Sequence, residues 1–115
     1  MNLKDYDFKK IAIYAIIGAI IGFIIECIFY ATHSVAYSFI IAMAIVGIII
    51  GFMAKDLDTG GIAGGVAGVI LSIIHVIPAK IFMGLNIYPL DSVIAFVVIG
   101  AIFGAGTSLI LTINK

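Results

Sequence analysis

Long apolar stretches separated by short polar segments make up almost the whole chain. Residues 11–54 contain one formally charged side chain, Glu26; residues 60–90 contain one, Lys80; and residues 92–114 contain none. A helix crosses the hydrocarbon core of a bilayer, about 30 Å thick, with roughly 20 apolar residues. On that measure the chain holds four such helices. The pattern therefore predicts an all-α, polytopic membrane protein built as a four-transmembrane-helix bundle.

The polar segments set the expected bounds within a single transmembrane domain, residues 1–115. The four predicted spans cover approximately residues 11–30, 35–54, 61–83 and 92–113. Polar side chains that accept a hydrogen bond are expected to cap the last three helices at their N-termini. These candidates are Ser34, Asp58 or Thr59, and Asp91 or Ser92.

Pro78 leaves the end of the third span open between Ile77 and Met83. Inside a helix, its ring would release the carbonyl of Ile74, one turn earlier and beside His75. Broken helices often frame ion or substrate sites in transporters, whereas the simpler interpretation is that Pro78 ends its helix.

The first apolar run is expected to be a retained helix and not a cleaved signal peptide. The segment before it carries Asp5 and Asp7, and no small-x-small cleavage pattern follows it. Its apolar region is also about twice as long as the core of a signal peptide.

The lysines predict the orientation of the four spans. The N-terminal segment, the middle loop and the C-terminus share one side, and they carry Lys4, Lys9, Lys10, Lys55 and Lys115. Lys80 is on the other side. Because lysines concentrate on the cytoplasmic side, the distribution predicts a multi-pass protein of the cell membrane with both termini in the cytoplasm.

Composition narrows the function classes. The chain is 64% hydrophobic and 10% charged, has a formal net charge of zero, and contains no arginine. Its mean hydropathy is +1.36. There is no basic face of the kind that nucleic acid requires, so the expected environment is the lipid bilayer and a nucleic-acid partner is excluded. The one cysteine, Cys27, allows neither an internal disulfide nor a multi-thiolate metal site.

Glycines four residues apart recur in every predicted span. Small residues at this spacing let helix backbones approach closely in a membrane, where packing drives association. The predicted packing residues are Gly18 and Gly22, Gly47 and Gly51, Gly64 and Gly68, and Gly100 and Gly104. The spacing leaves open whether these faces pack within one chain or between chains.

Glu26 is the most informative polar residue. An ionisable group within a membrane span is costly and usually faces the bundle interior or a partner. His75 is expected at about the same depth in the third span, and His33 lies just outside that level, so the three are a candidate ion or proton site. In the alternative interpretation, Glu26 extends its carboxylate to the nearby membrane interface.

No enzyme chemistry is predicted. The two histidines are 42 residues apart, no second acid lies within a span, and no nucleophile, base and acid set is visible. The glycine-rich run at residues 60–65 lacks the Gly-Lys-Ser/Thr ending of a phosphate-binding loop. We therefore expect no catalytic residues, no cofactor and no metal.

Residues 46–54, Val-Gly-Ile-Ile-Ile-Gly-Phe-Met-Ala, and residues 60–70, Gly-Gly-Ile-Ala-Gly-Gly-Val-Ala-Gly-Val-Ile, carry a resemblance. This central third of the chain resembles small, glycine-rich, four-span membrane proteins of archaea classed as a domain of unknown function. The resemblance implies the four-span architecture and implies no mechanism. The chain is also similar to the small multidrug resistance transporters in length, number of spans and a glutamate in the first span. It departs from them because Glu26 lies near the far end of its span, tryptophan is absent, and the lysine bias is strong.

These observations predict a small, non-enzymatic integral membrane protein that acts as a homo-oligomer or as an accessory subunit of a membrane complex. A single chain of 12.1 kDa has little interior volume for a transport pathway of its own. The alternative is a proton-coupled small transporter or an ion-conducting oligomer that uses Glu26 with His75.

Overall fold

The computed structural model describes residues 8–32, 38–84 and 89–113. Within these ranges the chain folds into five helices, so the predicted all-helical bundle is confirmed. They are α1 (Phe8–Ala31), α2 (Ser38–Ala54), α3 (Leu57–Ile74), α4 (Val76–Met83) and α5 (Pro89–Ile113).

Three of the described stretches are long and apolar enough to cross a membrane. They are Phe8–Ala31, Leu57–Phe82 and Val93–Leu111, and the second of them joins α3 to α4. The apolar part of α2, Ile40–Ala54, is shorter. Length and composition are therefore compatible with a membrane protein, and the number of spans stays a prediction.

Three helices, α1, α3 and α5, begin earlier than expected. α1 begins at Phe8 and α5 begins at Pro89. Proline suits the first position of a helix, because the amide hydrogen it lacks would have had no partner there. Asp91 and Ser92 consequently lie within the first turn of α5, which corrects their expected place as caps before it. The expected cap of the second span, Ser34, lies outside the described residues.

The N-terminus of α3 also corrects the prediction. Its cap is Asp56, whose carboxylate accepts a hydrogen bond from the Thr59 backbone N–H at 3.1 Å and another from the Thr59 hydroxyl at 2.8 Å. The helix therefore begins at Leu57, four residues before the expected start, and Asp58 and Thr59 lie inside its first turn. Asp and Thr are both good caps, so residue type alone did not distinguish them. The connection from α2 is short because Lys55 adopts a left-handed backbone conformation with φ of 59°.

A break at His75 divides the predicted third span into α3 and α4. Pro78 explains its place, because the proline ring excludes the carbonyl of Ile74 from helical bonding, and Ile74 is the last residue of α3. α4 then runs to Met83 and ends at Gly84, whose φ of 66° is the left-handed conformation that closes many helices.

Side-chain contacts define the directions of the long helices. Beside Gly18 of α1 lie Ile50 and Val46 of α2, and beside Gly22 lie Val46 and Leu71. α1 and α2 are therefore antiparallel. α5 is antiparallel to α3 and parallel to α2, as the glycine contacts below show, so α1 and α3 run in the same direction.

The closest helix contact joins α3 to α5. A β-carbon on Gly64 would overlap the backbone of Gly100, and a β-carbon on Gly104 would overlap the carbonyl of Gly60. Further along, a β-carbon on Gly68 would lie 2.5 Å from the carbonyl oxygen of Phe96. Backbone meets backbone over three turns, so these positions accept only glycine without a shift of the helices.

A second glycine contact joins α2 to α5. A β-carbon on Gly51 would lie 2.7 Å from the Gly104 carbonyl oxygen, and one on Gly47 would lie 3.1 Å from that of Gly100. The hydroxyl of Ser108 donates a hydrogen bond to the Gly51 carbonyl at 3.0 Å across this contact. The predicted glycine pairs thus pack within one chain.

Candidate functional site

The described interior contains four buried polar side chains: Glu26, Ser72, His75 and Ser108. Two of them have simple structural roles. The Ser108 hydroxyl donates a hydrogen bond to the Gly51 carbonyl of α2, and the Ser72 hydroxyl donates one to the Val69 carbonyl of its own helix at 2.7 Å. Glu26 and His75 remain as the acid and the imidazole among these four, and they are the pair singled out in the sequence.

Glu26 lies on the buried stripe of α1. The stripe passes through Gly18, Gly22, Glu26 and Tyr30, each four residues after the last, and so it forms one face of the helix. The exposed fraction of Glu26 is 0%. The side chain is therefore enclosed within the bundle, which argues against the alternative in which the carboxylate extends to the membrane interface.

The carboxyl group of Glu26 has no hydrogen-bond partner among the described residues. Both of its oxygen atoms, Oε1 and Oε2, are buried and unpaired. Buried polar groups in proteins almost always have a partner, and an isolated buried charge is far more costly than an isolated neutral group. Its negative charge must therefore be neutralised by a proton or by a bound cation.

His75 closes α3 with its side chain. The ring nitrogen Nδ1 lies 2.8 Å from the Ser72 carbonyl oxygen and 3.2 Å from that of Leu71. Its ring centroid is 4.9 Å from that of Phe96 in α5, at an interplanar angle of 45°. The ring is only 3% exposed, so His75 is a fixed, buried group at the helix break.

The structure places Glu26 and His75 at the same level without a direct bond. Gly22 of α1 meets Leu71 of α3, and one further turn along each parallel helix reaches Glu26 and His75. The two unpaired oxygens show that the side chains are not within hydrogen-bonding distance of each other. The third candidate residue, His33, lies outside the described residues.

Two aromatic neighbours were not predicted as parts of this region. Tyr30 is buried one helical turn beyond Glu26. Its position four residues after Glu26 could have predicted that both share one helix face. Phe96 contacts the His75 ring from α5. No sequence signal pairs residues on helices that are separated in the chain, so this contact could be found only in the folded bundle.

Metal ions in proteins bind to sets of several ligand side chains. Among the described residues no group of three histidine, cysteine, aspartate or glutamate side chains is placed to hold an ion. What the region offers is one unpaired carboxyl group and one imidazole, a set suited to holding and moving a proton.

Comparison of the chain with protein-family models, with curated proteins and with solved structures finds no match. The resemblance to archaeal four-span proteins stays a prediction, and proposals about function rest on the residues of this chain.

Proposed function

We propose that the chain is a small, non-enzymatic integral membrane protein that works in association with other membrane helices, as a homo-oligomer or as an accessory subunit. The proposal includes four spans with both termini in the cytoplasm. The observation that carries it is the distribution of apolar and polar side chains between the surface and the interior.

Large apolar side chains are exposed on the outward faces of all the long helices. Examples are Ile24 at 54%, Phe52 at 54%, Ile73 at 55% and Ile94 at 75% exposure, whereas Glu26 is fully buried. Continuous exposed apolar surface in a protein marks contact with a membrane or with partner proteins. This surface therefore supports a bilayer as the surroundings.

The dimensions of the bundle support the same proposal. Its longest extent is 44 Å. A bilayer with its headgroup regions is about 40–45 Å thick. The bundle is thus long enough to reach from one face of a membrane to the other.

Association is best supported through the apolar outer faces. The predicted glycine pairs are occupied by contacts within the chain, so they are not free to join two chains. Membrane helices associate mainly by packing, and the exposed isoleucine and phenylalanine side chains are the surface available for it.

Two measurements test association. The first is the mass of the purified protein in lipid nanodiscs over a range of protein concentrations, where a homo-oligomer gives a multiple of the chain mass. The second is gentle extraction of the tagged chain from its native membrane, where an accessory subunit brings down a partner in fixed ratio. A free monomer in both measurements would overturn the proposal.

A second candidate function, proton-coupled transport, is favoured by the unpaired and fully buried carboxyl group of Glu26. Ionisable groups within membrane helices commonly serve proton relays and ion pathways. Such a group carries a proton in one step and loses it in another.

Proteoliposomes loaded with a pH-sensitive dye test this candidate. Glu26→Gln should abolish proton flux while the helical content is kept, because the amide cannot take up and release a proton. Ser108→Ala is the matched control, since it removes another fully buried polar group of the same bundle. Absence of proton and monovalent-cation flux in the wild-type protein would exclude the candidate.

A further inference from the structure

We propose that Glu26 and His75 form a proton-exchange pair, in which a proton moves between the Glu26 carboxyl group and the Nε2 atom of His75. This proposal rests on the second candidate function, proton-coupled transport. It adds the residue that accepts the proton, the ring nitrogen that binds it and the identity of the ligand. The ligand of this site is a proton.

The surroundings of Glu26 favour a proton over a metal cation. A hard cation requires about six or more oxygen ligands, supplied mostly by carboxylates, carbonyls and water. Glu26 is the one acid among the buried polar groups of the described residues. A proton requires only the carboxyl group itself, so it neutralises the charge with the atoms that are present.

The helix end determines which nitrogen of His75 can accept this proton. Nδ1 faces the carbonyl oxygens of Ser72 and Leu71 at 2.8 and 3.2 Å, and both are acceptors. Nδ1 must therefore be the nitrogen that carries hydrogen. In a neutral imidazole the other nitrogen, Nε2, then has a lone pair and is the base.

The chain brings the two groups to one level from different helices. Gly22 contacts Leu71, and Glu26 and His75 each follow one turn later on helices that run in the same direction. α4, which begins directly after His75, also packs against α1. Because the groups are not hydrogen-bonded in this state, transfer requires movement of the side chains or bridging water.

The proton step is balanced within the pair. The O–H bond of the Glu26 carboxyl group breaks and an N–H bond forms at Nε2 of His75. The products are a carboxylate and an imidazolium, whose opposite charges attract strongly in a low-dielectric interior. The Nδ1–H bond to Ser72 is kept throughout, so α3 keeps its closing contact.

Few other ionisable groups face Glu26 among the described residues. On α1 they are Cys27, which is partly exposed, and the buried Tyr30. From α2 the neighbouring side chain at Gly22 is the apolar Val46, and Lys80 of α4 is exposed. Among the described residues His75 is therefore the buried base that we assign as the partner of Glu26.

The test is ¹⁵N NMR of histidine-labelled protein in lipid nanodiscs, in a His33→Gln background that leaves one histidine. We expect the neutral ring of His75 to show the tautomer with hydrogen on Nδ1. At a fixed pH within its titration, Glu26→Gln should lower the ratio of imidazolium to neutral ring about tenfold, because the amide cannot become the carboxylate that stabilises the imidazolium. The opposite tautomer, or an unchanged ratio, would overturn the pair.

A second measurement protects the test against misfolding of the Glu26 variant. Infrared difference spectra of the wild-type protein should show a protonated carboxyl band that Glu26→Gln removes and His75→Gln shifts in its pH dependence. A band that responds to sodium instead of pH would show a cation site and overturn the assignment.

The flux measurement tests proton-coupled transport, and the titration measurement tests the Glu26–His75 pair. Coupled titration without any flux would exclude transport and leave the pair. Independent titration of the two groups in a protein that does conduct protons through Glu26 would exclude the pair and leave transport.

Discussion

At the scale of single residues, Glu26 is the position where burial and chemistry conflict. Its carboxyl group is fully enclosed and both oxygens are unpaired. An apolar side chain would satisfy the same site without loss of hydration, so the acid is a burden on stability. Functional sites commonly keep such groups at the expense of stability.

Replacing Glu26 by methionine should therefore stabilise the protein. Methionine is flexible, carries no strongly polar atoms and adapts to irregular interiors. Removing an unsatisfied buried polar group is expected to raise the free energy of unfolding by about 1–3 kcal/mol. Thermal unfolding in detergent followed by circular dichroism gives the measurement.

The matched control is Ile24→Met on the same helix, where the side chain is 54% exposed. Its effect should stay within about 0.5 kcal/mol, the usual range for surface substitutions. A destabilised Glu26→Met protein, with Ile24→Met unchanged, would show that the carboxyl group is held by a partner.

At the scale of the helices, the contact between α3 and α5 is the closest in the bundle. It depends on glycines that occur every fourth residue on both helices. Some neighbouring glycines on other faces of the same helices have room for a β-carbon. Gly65 shows the difference, since a β-carbon there would lie 3.7 Å from Val97 Cγ1, an ordinary contact.

Gly64→Ala and Gly65→Ala make a matched pair for this contact. The first methyl group would overlap the Gly100 backbone, and separating the helices should destabilise the protein by about 1–3 kcal/mol or more. The second should be neutral or stabilising by about 0.5–1 kcal/mol, because alanine favours the helix more than glycine does. Equal melting temperatures for the two variants would contradict the described helix contact.

The bond from α5 to α2 can be tested in the same way. Ser108→Ala removes a hydrogen bond between helices, which in membrane proteins is worth about 0.6 kcal/mol on average. Ser72→Ala removes a bond within one helix and should have a smaller effect on the free energy of unfolding. Chemical unfolding in mixed micelles compares the two, and a larger effect of Ser72→Ala would count against the described bond.

At the scale of the whole molecule, the directions of the helices divide the described lysines between two ends. Lys9, Lys10 and Lys55 lie at the end that also holds the start of α3. Lys80 lies towards the opposite end, on α4. The proposal of cytoplasmic termini depends on this division.

Cysteine labelling tests the proposed orientation. In a Cys27→Ala background, Thr32→Cys should react with a membrane-impermeant maleimide in intact cells, whereas Lys55→Cys should react only after permeabilisation. Both positions are exposed on the protein surface, so the reagent can reach either cysteine once it is on the same side of the membrane. The reverse pattern would place both termini outside.

Sequence reasoning worked best where a local property decides the structure. The apolar stretches predicted helices because length and hydropathy act on each segment separately, and glycine spacing predicted faces of close approach. It was less accurate at helix ends, where Asp56 and not Asp58 or Thr59 caps α3. Of the two outcomes left open for Pro78, a break and an end, the structure shows the break. Several residues near the start of α3 are good caps, so residue type alone does not select among them.

By itself, the sequence determined that the chain is helical and apolar and that Glu26 and His75 are the groups to examine. Only the tertiary structure decided that the glycines of α2 and α3 pack against those of α5 within a single chain, and that the Glu26 carboxyl group is buried without a partner. It also decided that Nδ1 of His75 is held by Ser72 and Leu71, which leaves Nε2 as the base. The reason is physical: periodicity specifies which residues share a helix face, but the rotation of each helix against its neighbours specifies what that face meets.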